Sequence, residues 1–246
     1  MPGAARAPRR RRLAGQRQYR IVPSRFPPIG LFERLVSPDE LEVAYAIEGL
    51  TNDRLRAQAG DLHRVPRDQW VTGPGASVVM APFTHVGRDS RFSDGSYGVY
   101  YAALDEDTAI AETAFHVARF LRQTREPPIE VDQRLYIGRI VEPLDDVRGA
   151  AYAHLGDPDL ATYPTCQAFG RERRAAGSWG LLYRSARRPG GECIGAFRPK
   201  AVTLPTQSRH FRYVFDGERV ATVLTISEVR DLVSEDARST RQRRDQ

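Results

Sequence analysis

The sequence predicts an α+β domain built around a single mixed sheet. Short runs rich in β-branched and aromatic residues occur among helical segments, but without the regular strand–helix–strand alternation of a parallel sheet. The chain has no GxGxxG or GxxxxGK[ST] motif, which disfavours Rossmann and P-loop folds. Its 246 residues, of which 41% are hydrophobic, are enough to bury a core without disulfides or a metal.

The first elements predict a strand followed by a helical extension. Residues 18–22 (QYRIV) are predicted to form a short strand that ends at the next proline. Residues 26–30 (FPPIG) form an extended turn, because proline disfavours helix before and within it. The SPDE segment at 37–40 has the spacing of a capping box and starts a helix. A second short helix is predicted to begin near residue 51 and to stop at residue 60.

Two further strands and the strongest helix follow. Residues 78–83 (VVMAPF) and 97–103 (YGVYYAA) are predicted strands, joined by a polar, arginine-bearing loop at 84–96. A helix is predicted over residues 106–122, because apolar side chains recur along one face at helical spacing. Polar side chains share the opposite face of this helix: Thr108, Glu112, His116 and Arg119.

The C-terminal half is predicted to add two strands, a helix and a hairpin. The strands are at residues 134–141 and 179–183, and the helix between them covers 166–176. The hairpin pairs residues 211–215 with 219–226 around an Asp-Gly dipeptide, which suits the positive-φ positions of a two-residue turn.

Charge and cysteine content exclude several classes of function. Seven of the 37 basic residues fall within residues 1–20, which contain no acidic residue, so the rest of the chain has 30 basic residues against 31 acidic ones. Residues 1–16 are therefore predicted to be a disordered basic leader, 17–230 the domain and 231–246 a charged tail, with no DNA binding by the body. Two cysteines and five histidines form no metal motif. With no secretory signal or membrane span, these features predict a cytoplasmic protein without a metal site.

One ordered set of residues carries the first functional signal. An arginine lies in a glycine-bearing loop, a tyrosine ends the next predicted strand, and an Ala-Glu pair lies on the following helix. These are Arg91, Tyr101 and Glu112, at intervals of ten and eleven residues. The surrounding segment, 83–121, resembles the core of the RES domain, a bacterial family named for its Arg, Glu and Ser.

The resemblance continues on both sides of this core. Residues 18–33 (QYRIVPSRFPPIGLFE) resemble the opening of longer RES proteins and supply Arg20, and residues 166–191 resemble their closing helix, strand and loop and supply Ser185. Some members place a functional serine just before the Cys-Gln-Ala-like segment, where this chain has Thr165. Ser185 is therefore the preferred serine and Thr165 its substitute.

The family resemblance implies a fold similar to the ADP-ribosyltransferase toxins, NAD⁺ as substrate, and a role as the toxin of a bacterial toxin–antitoxin pair. Breaking the nicotinamide–ribose bond builds positive charge on the ribose, which the Glu112 carboxylate would stabilise. Arg91 and Arg20 would bind the pyrophosphate in two-pronged, charge-assisted fashion. Tyr101 would stack on nicotinamide or bind a ribose hydroxyl, and Ser185 would hold the nicotinamide amide or the ribose.

Each of these residues also has an ordinary structural explanation. Among 36 arginines, Arg91 would usually be a surface or ion-pair residue. Glu112 would face solvent or pair with His116, four residues along the helix. Tyr101 would be a core residue and Ser185 a turn residue. A functional role is favoured because these residues occur together, in the order typical of the family, within segments that resemble the RES domain.

The acceptor of ADP-ribose stays open among a protein side chain, water and inorganic phosphate. The helical region before residue 78 offers surface for a protein acceptor, which slightly favours protein ADP-ribosylation over an NAD⁺ glycohydrolase or phosphorylase. The family also implies a partner, a small Xre-like DNA-binding antitoxin that covers the NAD⁺ pocket. A second class of function is a non-catalytic binding module of that complex. A third, nucleic-acid binding through the leader, predicts a steep salt dependence that is lost on deleting residues 1–16.

Overall fold

A nine-stranded mixed sheet runs through the protein in a computed structural model, which describes residues 7–26, 28–34, 37–51 and 60–227. The strand order is β1-β5-β6-β7-β3-β2-β4-β8-β9, and every neighbouring pair is antiparallel except β5 and β6. The predicted mixed sheet is thus confirmed. The strands are β1 Arg9–Arg11, β2 Arg17–Pro23, β3 Tyr100–Ala103, β4 Ile129–Arg139, β5 Leu144–Asp146, β6 Gly180–Arg184, β7 Glu192–Ala196, β8 Thr206–Phe215 and β9 Val220–Ile226.

Strand β2 joins the two halves of this sheet. It pairs with β4 in unbroken register along its whole length, from Arg17 opposite Arg139 to Pro23 opposite Gln133. Its other side meets β3 at a single residue pair, Tyr19 opposite Ala103. The sheet is therefore weakly joined between β2 and β3.

Two apolar clusters cover opposite faces of the sheet, because alternate residues along a strand point to opposite sides. Tyr100 and Leu182 belong to the first cluster, and Leu181 and Cys193 belong to the second. Helices α1 (Gly30–Arg34), α2 (Pro38–Thr51) and α3 (Ala76–Thr84) pack on the first cluster through Phe32, Leu41 and Val79. Helices α4 (Glu106–Gln123) and α5 (Tyr163–Ala175) pack on the second through Ala109 and Cys166.

Helix α3 replaces a predicted strand. The run at 78–83 is short and apolar, so periodicity alone does not distinguish strand from helix. The helix begins after Gly75, which has a φ of +90°. The carboxylate of Glu33 accepts hydrogen bonds from the amides of Gly75 and Ser77 at 2.7 and 2.9 Å, and so caps the helix from a distant part of the chain. This tertiary contact is invisible in the local sequence.

The N-terminal leader also differs from the prediction. Residues 9–11 form β1, which pairs with β5 at the edge of the sheet. These three residues are therefore not disordered. Arg10 lies 4.0 Å from Asp145, and Arg11 lies 3.7 Å from Asp146. The arginines are therefore compensated by acidic residues of the neighbouring strand.

Most other elements agree with the sequence predictions within a few residues. The strand at 18–22, the helix at 106–122, the helix at 166–176 and both arms of the hairpin are confirmed. The prediction of a two-residue hairpin turn is wrong, because Phe215 pairs with Val220 and four residues connect the two strands. Strands β5 and β7 were not predicted. The predicted helix at 51–60 and the tail at 231–246 lie largely or wholly outside the described residues.

Two absences hold for the described part of the chain. It contains no helix with the length and apolar character needed to cross a membrane. Nor do three or more His, Cys, Asp or Glu side chains group there in a way that would hold a metal ion.

Candidate active site

A cavity of about 290 Å³ lies where β2 and β3 meet at their single pair. Four of the residues singled out in the sequence line it: Arg20, Arg91, Tyr101 and Glu112. Since they come from a strand, a loop, another strand and a helix, the fold brings together residues separated by up to 92 positions. Other polar lining residues include Asp89, Ser90, Thr113, His116, Arg119 and Tyr163.

Glu112 is positioned by helix α4 and held by the loop that follows β6. The start of the helix is fixed by Asp105. Its carboxylate accepts hydrogen bonds from the amide of Thr108 at 2.8 Å and from the Thr108 hydroxyl at 2.7 Å. Glu112 then lies on the cavity side of the helix. Its Oε1 accepts hydrogen bonds from the Ser185 hydroxyl at 2.6 Å and from the Ala186 amide at 3.0 Å. No described residue donates to Oε2, which leaves one carboxylate oxygen available to a ligand.

Ser185 organises the loop that holds Glu112. Its amide donates to the carbonyl of Gly191 at 2.9 Å, and its hydroxyl oxygen accepts from the amides of Arg187 and Arg188 at 3.1 and 3.0 Å. The side chain therefore closes a tight turn while its proton is directed to Glu112. Thr165, the substitute considered for the family serine, is exposed on α5 and does not line the cavity. The structure places Ser185 beside Glu112, and not Thr165.

Tyr101 fixes the loop that carries Arg91. Its hydroxyl bonds to Ser90 Oγ at 2.9 Å and accepts from the Phe92 amide at 3.0 Å. Its ring lies nearly parallel to that of Phe92, with centroids 6.5 Å apart. Burial raises the pKa of Tyr101, so the phenol stays protonated. Both hydrogen bonds hold the loop, and Tyr101 thus acts as a positioning residue in this structure.

Arg91 is buried, and one nitrogen of its guanidinium group is hydrogen-bonded to the protein backbone. Its Nη1 donates to the carbonyls of Leu155 and Asp157, both at 2.9 Å. The guanidinium lies over the ring of Tyr163, 5.1 Å from the centroid. The carbonyl bonds fix its orientation, and because carbonyls carry no net charge the positive charge of Arg91 stays available to the cavity.

Arg20 is a second cation at the same cavity, and it is partly buried. Its Nη1 donates to the carbonyl of Tyr101 at 2.7 Å, and its guanidinium lies 4.5 Å from the centroid of the Tyr100 ring. Its Nε is buried, and no described group accepts a hydrogen bond from it. Burial lowers the pKa of Arg20, because the charged form is desolvated. An unsatisfied buried N–H of this kind favours an anionic ligand.

Two further residues at the site were not assigned a role from the sequence. The guanidinium of Arg187 lies 3.3 Å from the centroid of the Phe115 ring, and its Nε and Nη2 are buried without a described acceptor. Burial lowers the pKa of Arg187, while the nearby Glu112 opposes that shift. His116 lines the cavity, and its pKa is lowered by burial and raised in part by Glu112.

Only one of these two residues had a signal in the sequence. His116 follows Glu112 by four positions, which places both on one face of α4. Arg187 stands in the ARRPGG segment, where nothing in the sequence separates it from the other arginines.

Comparisons with known proteins identify a family. The model of the family described as the RES domain matches residues 61–216. A relative from Sinorhizobium fredii, named "Uncharacterized protein y4oC", is 32% identical over 218 residues, which cover 82% of this chain and 84% of that protein. A chain in the crystal structure of the M. tuberculosis MbcT–MbcA toxin–antitoxin complex is similar with a TM-score of 0.35 and 11% identity, over 56% of this chain and 71% of that one. At those values the structural likeness carries no functional argument.

Proposed function

Because this chain belongs to the RES domain family, we propose that it is the toxin of a bacterial toxin–antitoxin pair and cleaves the nicotinamide–ribose bond of NAD⁺. The single observation that carries the proposal is the environment of Glu112. One carboxylate oxygen is held by two donors, and the cavity around it is bordered by Arg20, whose Nε is buried and has no described hydrogen-bond acceptor. The fold would then be related to the ADP-ribosyltransferase toxins.

The carboxylate supplies the electrostatic part of the reaction. As nicotinamide departs, positive charge develops on the ribose ring, and a fixed negative group beside the ring lowers the energy of that state. Glu112 suits this task because Ser185 and the Ala186 amide hold it in place before the charge appears. A group that is already oriented does not have to reorganise during the reaction.

The arginines supply the binding part. Arg20 lines the cavity and has a buried Nε without a described acceptor, and a pyrophosphate would provide the missing oxygen atom. Arg91 adds positive charge at the cavity, with its orientation fixed by the carbonyls of Leu155 and Asp157. Tyr101 supports this arrangement by holding the Arg91 loop, and its contact with the nicotinamide or a ribose hydroxyl stays a prediction.

The cavity volume is consistent with the reacting half of a dinucleotide. Small-molecule sites occupy about 300–1,000 Å³, and the cavity, at about 290 Å³, lies just below this range. The nicotinamide and its ribose would therefore occupy the cavity, and the rest of NAD⁺ would extend along its open side.

The acceptor of ADP-ribose is the finer part of the proposal. A protein acceptor was slightly favoured because of the N-terminal helices, but α1, α2 and α3 pack on the Tyr100 side of the sheet. The cavity instead contains Tyr101, Tyr183 and Cys193, from the opposite face. The helices therefore lend no support to a protein acceptor. The product of the reaction distinguishes the three possible acceptors, which are a protein side chain, water and inorganic phosphate.

The test is nicotinamide release by the purified chain, freed of any inhibitor, with NAD⁺. Glu112→Gln keeps the shape of the side chain but removes its charge, and we expect kcat to fall by about 10²–10³. Thr165→Ala is the matched control and should leave the rate unchanged. The absence of nicotinamide release by the native chain, alongside an active NAD⁺-cleaving enzyme, would overturn the proposal. Chromatography separates ADP-ribose, its phosphorylated form and labelled protein, and so identifies the acceptor.

The partner and the non-catalytic alternative are tested in cells. The proposed partner is a small Xre-like DNA-binding antitoxin that covers the cavity. If the chain is an enzyme toxin, Glu112→Gln should abolish growth inhibition and still bind this antitoxin. If the chain acts only as a binding module, the same variant should inhibit growth as strongly as the native chain.

A further inference from the structure

A second cavity, of about 590 Å³, lies between the N-terminal region and α5. It is lined by the segment 64–69, which includes a short 3-10 turn at Arg67–Gln69, by the end of α3, by residues 96–98, by Arg174 and by residues 197–199. None of its lining residues lines the cavity at Glu112. It is therefore a separate site, and the proposed reaction does not use it.

The charge of this cavity is positive and partly uncompensated. Three arginines line it against one acidic residue, Asp68. Arg64 has a carboxylate partner, Asp61, at 3.2 Å. Arg174 and Arg198 have no carboxylate within 4.0 Å in the described part of the chain. Instead, their guanidinium groups lie over aromatic rings, Arg174 over Tyr97 at 4.7 Å and Arg198 over Trp179 at 4.9 Å.

A buried acceptor in the same cavity is also unsatisfied. Gln69 is 8% exposed, and its Nε2 donates to Asp68 Oδ2 at 2.9 Å. Its Oε1 is buried, and no described group donates to it. A buried oxygen without a donor is unfavourable, so a ligand that brings a hydroxyl or amino group would be stabilised there.

We propose that this second cavity binds a small phosphorylated metabolite, with the phosphate at Arg174 and Arg198 and a hydroxyl or amino group at Gln69 Oε1. Guanidinium groups bind phosphate through paired, charge-assisted hydrogen bonds. The cavity volume falls within the range of small-molecule sites, about 300–1,000 Å³. Sugar phosphates and nucleotides share this chemistry, because both combine a phosphate with hydroxyl donors.

One tyrosine connects this cavity to the candidate active site. Tyr97 lines the second cavity, and its hydroxyl donates to the carbonyl of Phe92 at 2.5 Å. The amide of Phe92 in turn donates to the hydroxyl of Tyr101, which fixes the Arg91 loop. A ligand that draws Arg174 away from the Tyr97 ring would change the packing of a residue bonded to that loop. The second site is therefore placed to influence the first.

The binding is tested by calorimetry with three probes: inorganic pyrophosphate, ribose 5-phosphate and AMP. The native chain should bind at least one probe at a site that is lost in the Arg174→Ala, Arg198→Ala double variant. Each arginine removed should weaken this binding by about 10-fold or more. Binding of pyrophosphate alone indicates a phosphate site, whereas binding restricted to ribose 5-phosphate or AMP identifies a sugar phosphate or a nucleotide.

The control variant is Arg219→Ala, which removes a positive charge that is 79% exposed and lies on the hairpin. It should bind every probe as the native chain does. Equal binding by the native chain and the double variant would overturn the proposal, and so would an equal loss in Arg219→Ala, because that would indicate unspecific attraction. Equal urea midpoints for the variants verify that all are folded. These readouts do not depend on NAD⁺ cleavage.

The connection to the active site is tested by hydrogen exchange at the Phe92 amide. Binding of the phosphorylated probe should change the exchange rate of this amide in the native chain. Tyr97→Phe removes the hydroxyl that bonds to Phe92 and keeps the ring under Arg174, so it should bind the probe but lose the change in exchange. The same change in both proteins, or none in the native chain, would refute the connection.

Discussion

Ser185 offers the sharpest test of the geometry at the candidate active site. Ser185→Ala removes the hydroxyl that donates to Glu112 Oε1 at 2.6 Å and leaves the bond from the Ala186 amide at 3.0 Å. A hydrogen bond to a charged group contributes about 1.5–3 kcal/mol. If the transition state depends on the orientation of Glu112, kcat/KM should fall by about 10- to 150-fold.

The assay is nicotinamide release at NAD⁺ concentrations well below KM. Ser185→Thr retains a hydroxyl and should recover most of the activity, and Thr165→Ala should behave as the native chain because Thr165 is exposed outside the cavity. Urea midpoints of all variants report whether the loop change affects folding. If Ser185→Ala stayed within about twofold of the native rate, or if Thr165→Ala lost as much activity, the assignment of Ser185 would be wrong.

Three other predictions concern stability. Arg173→Ala leaves Asp145, which is 1% exposed, without its buried partner at 2.8 Å. The free energy of unfolding measured in urea should fall by about 3–5 kcal/mol, and a fall of less than about 1 kcal/mol would contradict this. Burial lowers the pKa of His116, so the unfolded state binds the proton more readily than the folded state. The free energy of unfolding should therefore fall as the pH drops below about 6.5. His116→Gln should flatten this dependence on pH, and an unchanged slope would contradict the prediction. A Cβ at Gly170 would lie 2.4 Å from the Phe92 carbonyl oxygen, so Gly170→Ala should cost about 1–3 kcal/mol, and a native-like urea midpoint would refute it.

Local pattern was sufficient where an element depends on its own residues. Helix α4 was predicted almost to its ends, because Asp105 caps it and its apolar residues repeat along one face. The order of Arg91, Tyr101 and Glu112 also predicted a shared site, and the fold places all three at one cavity.

Long-range contacts explain what the sequence did not predict. Helix α3 depends on Glu33, which lies more than forty residues before it. The hydrogen bonds of the Tyr101 hydroxyl to Ser90 and Phe92 could not be predicted, because these contacts form only when the loop folds back. Arg187 could not be singled out, because its lack of acceptors is a property of the packed loop and not of its residue type.

The central position of β2 determines how much of the chain a working fragment must keep. The family match begins at residue 61, whereas β2 covers Arg17–Pro23 and carries Arg20. A fragment trimmed to the match would expose the flanks of β3 and β4 as unpaired edges, which tend to associate with other chains. Fragments made for expression should therefore retain the first strands, or aggregation would be mistaken for loss of function.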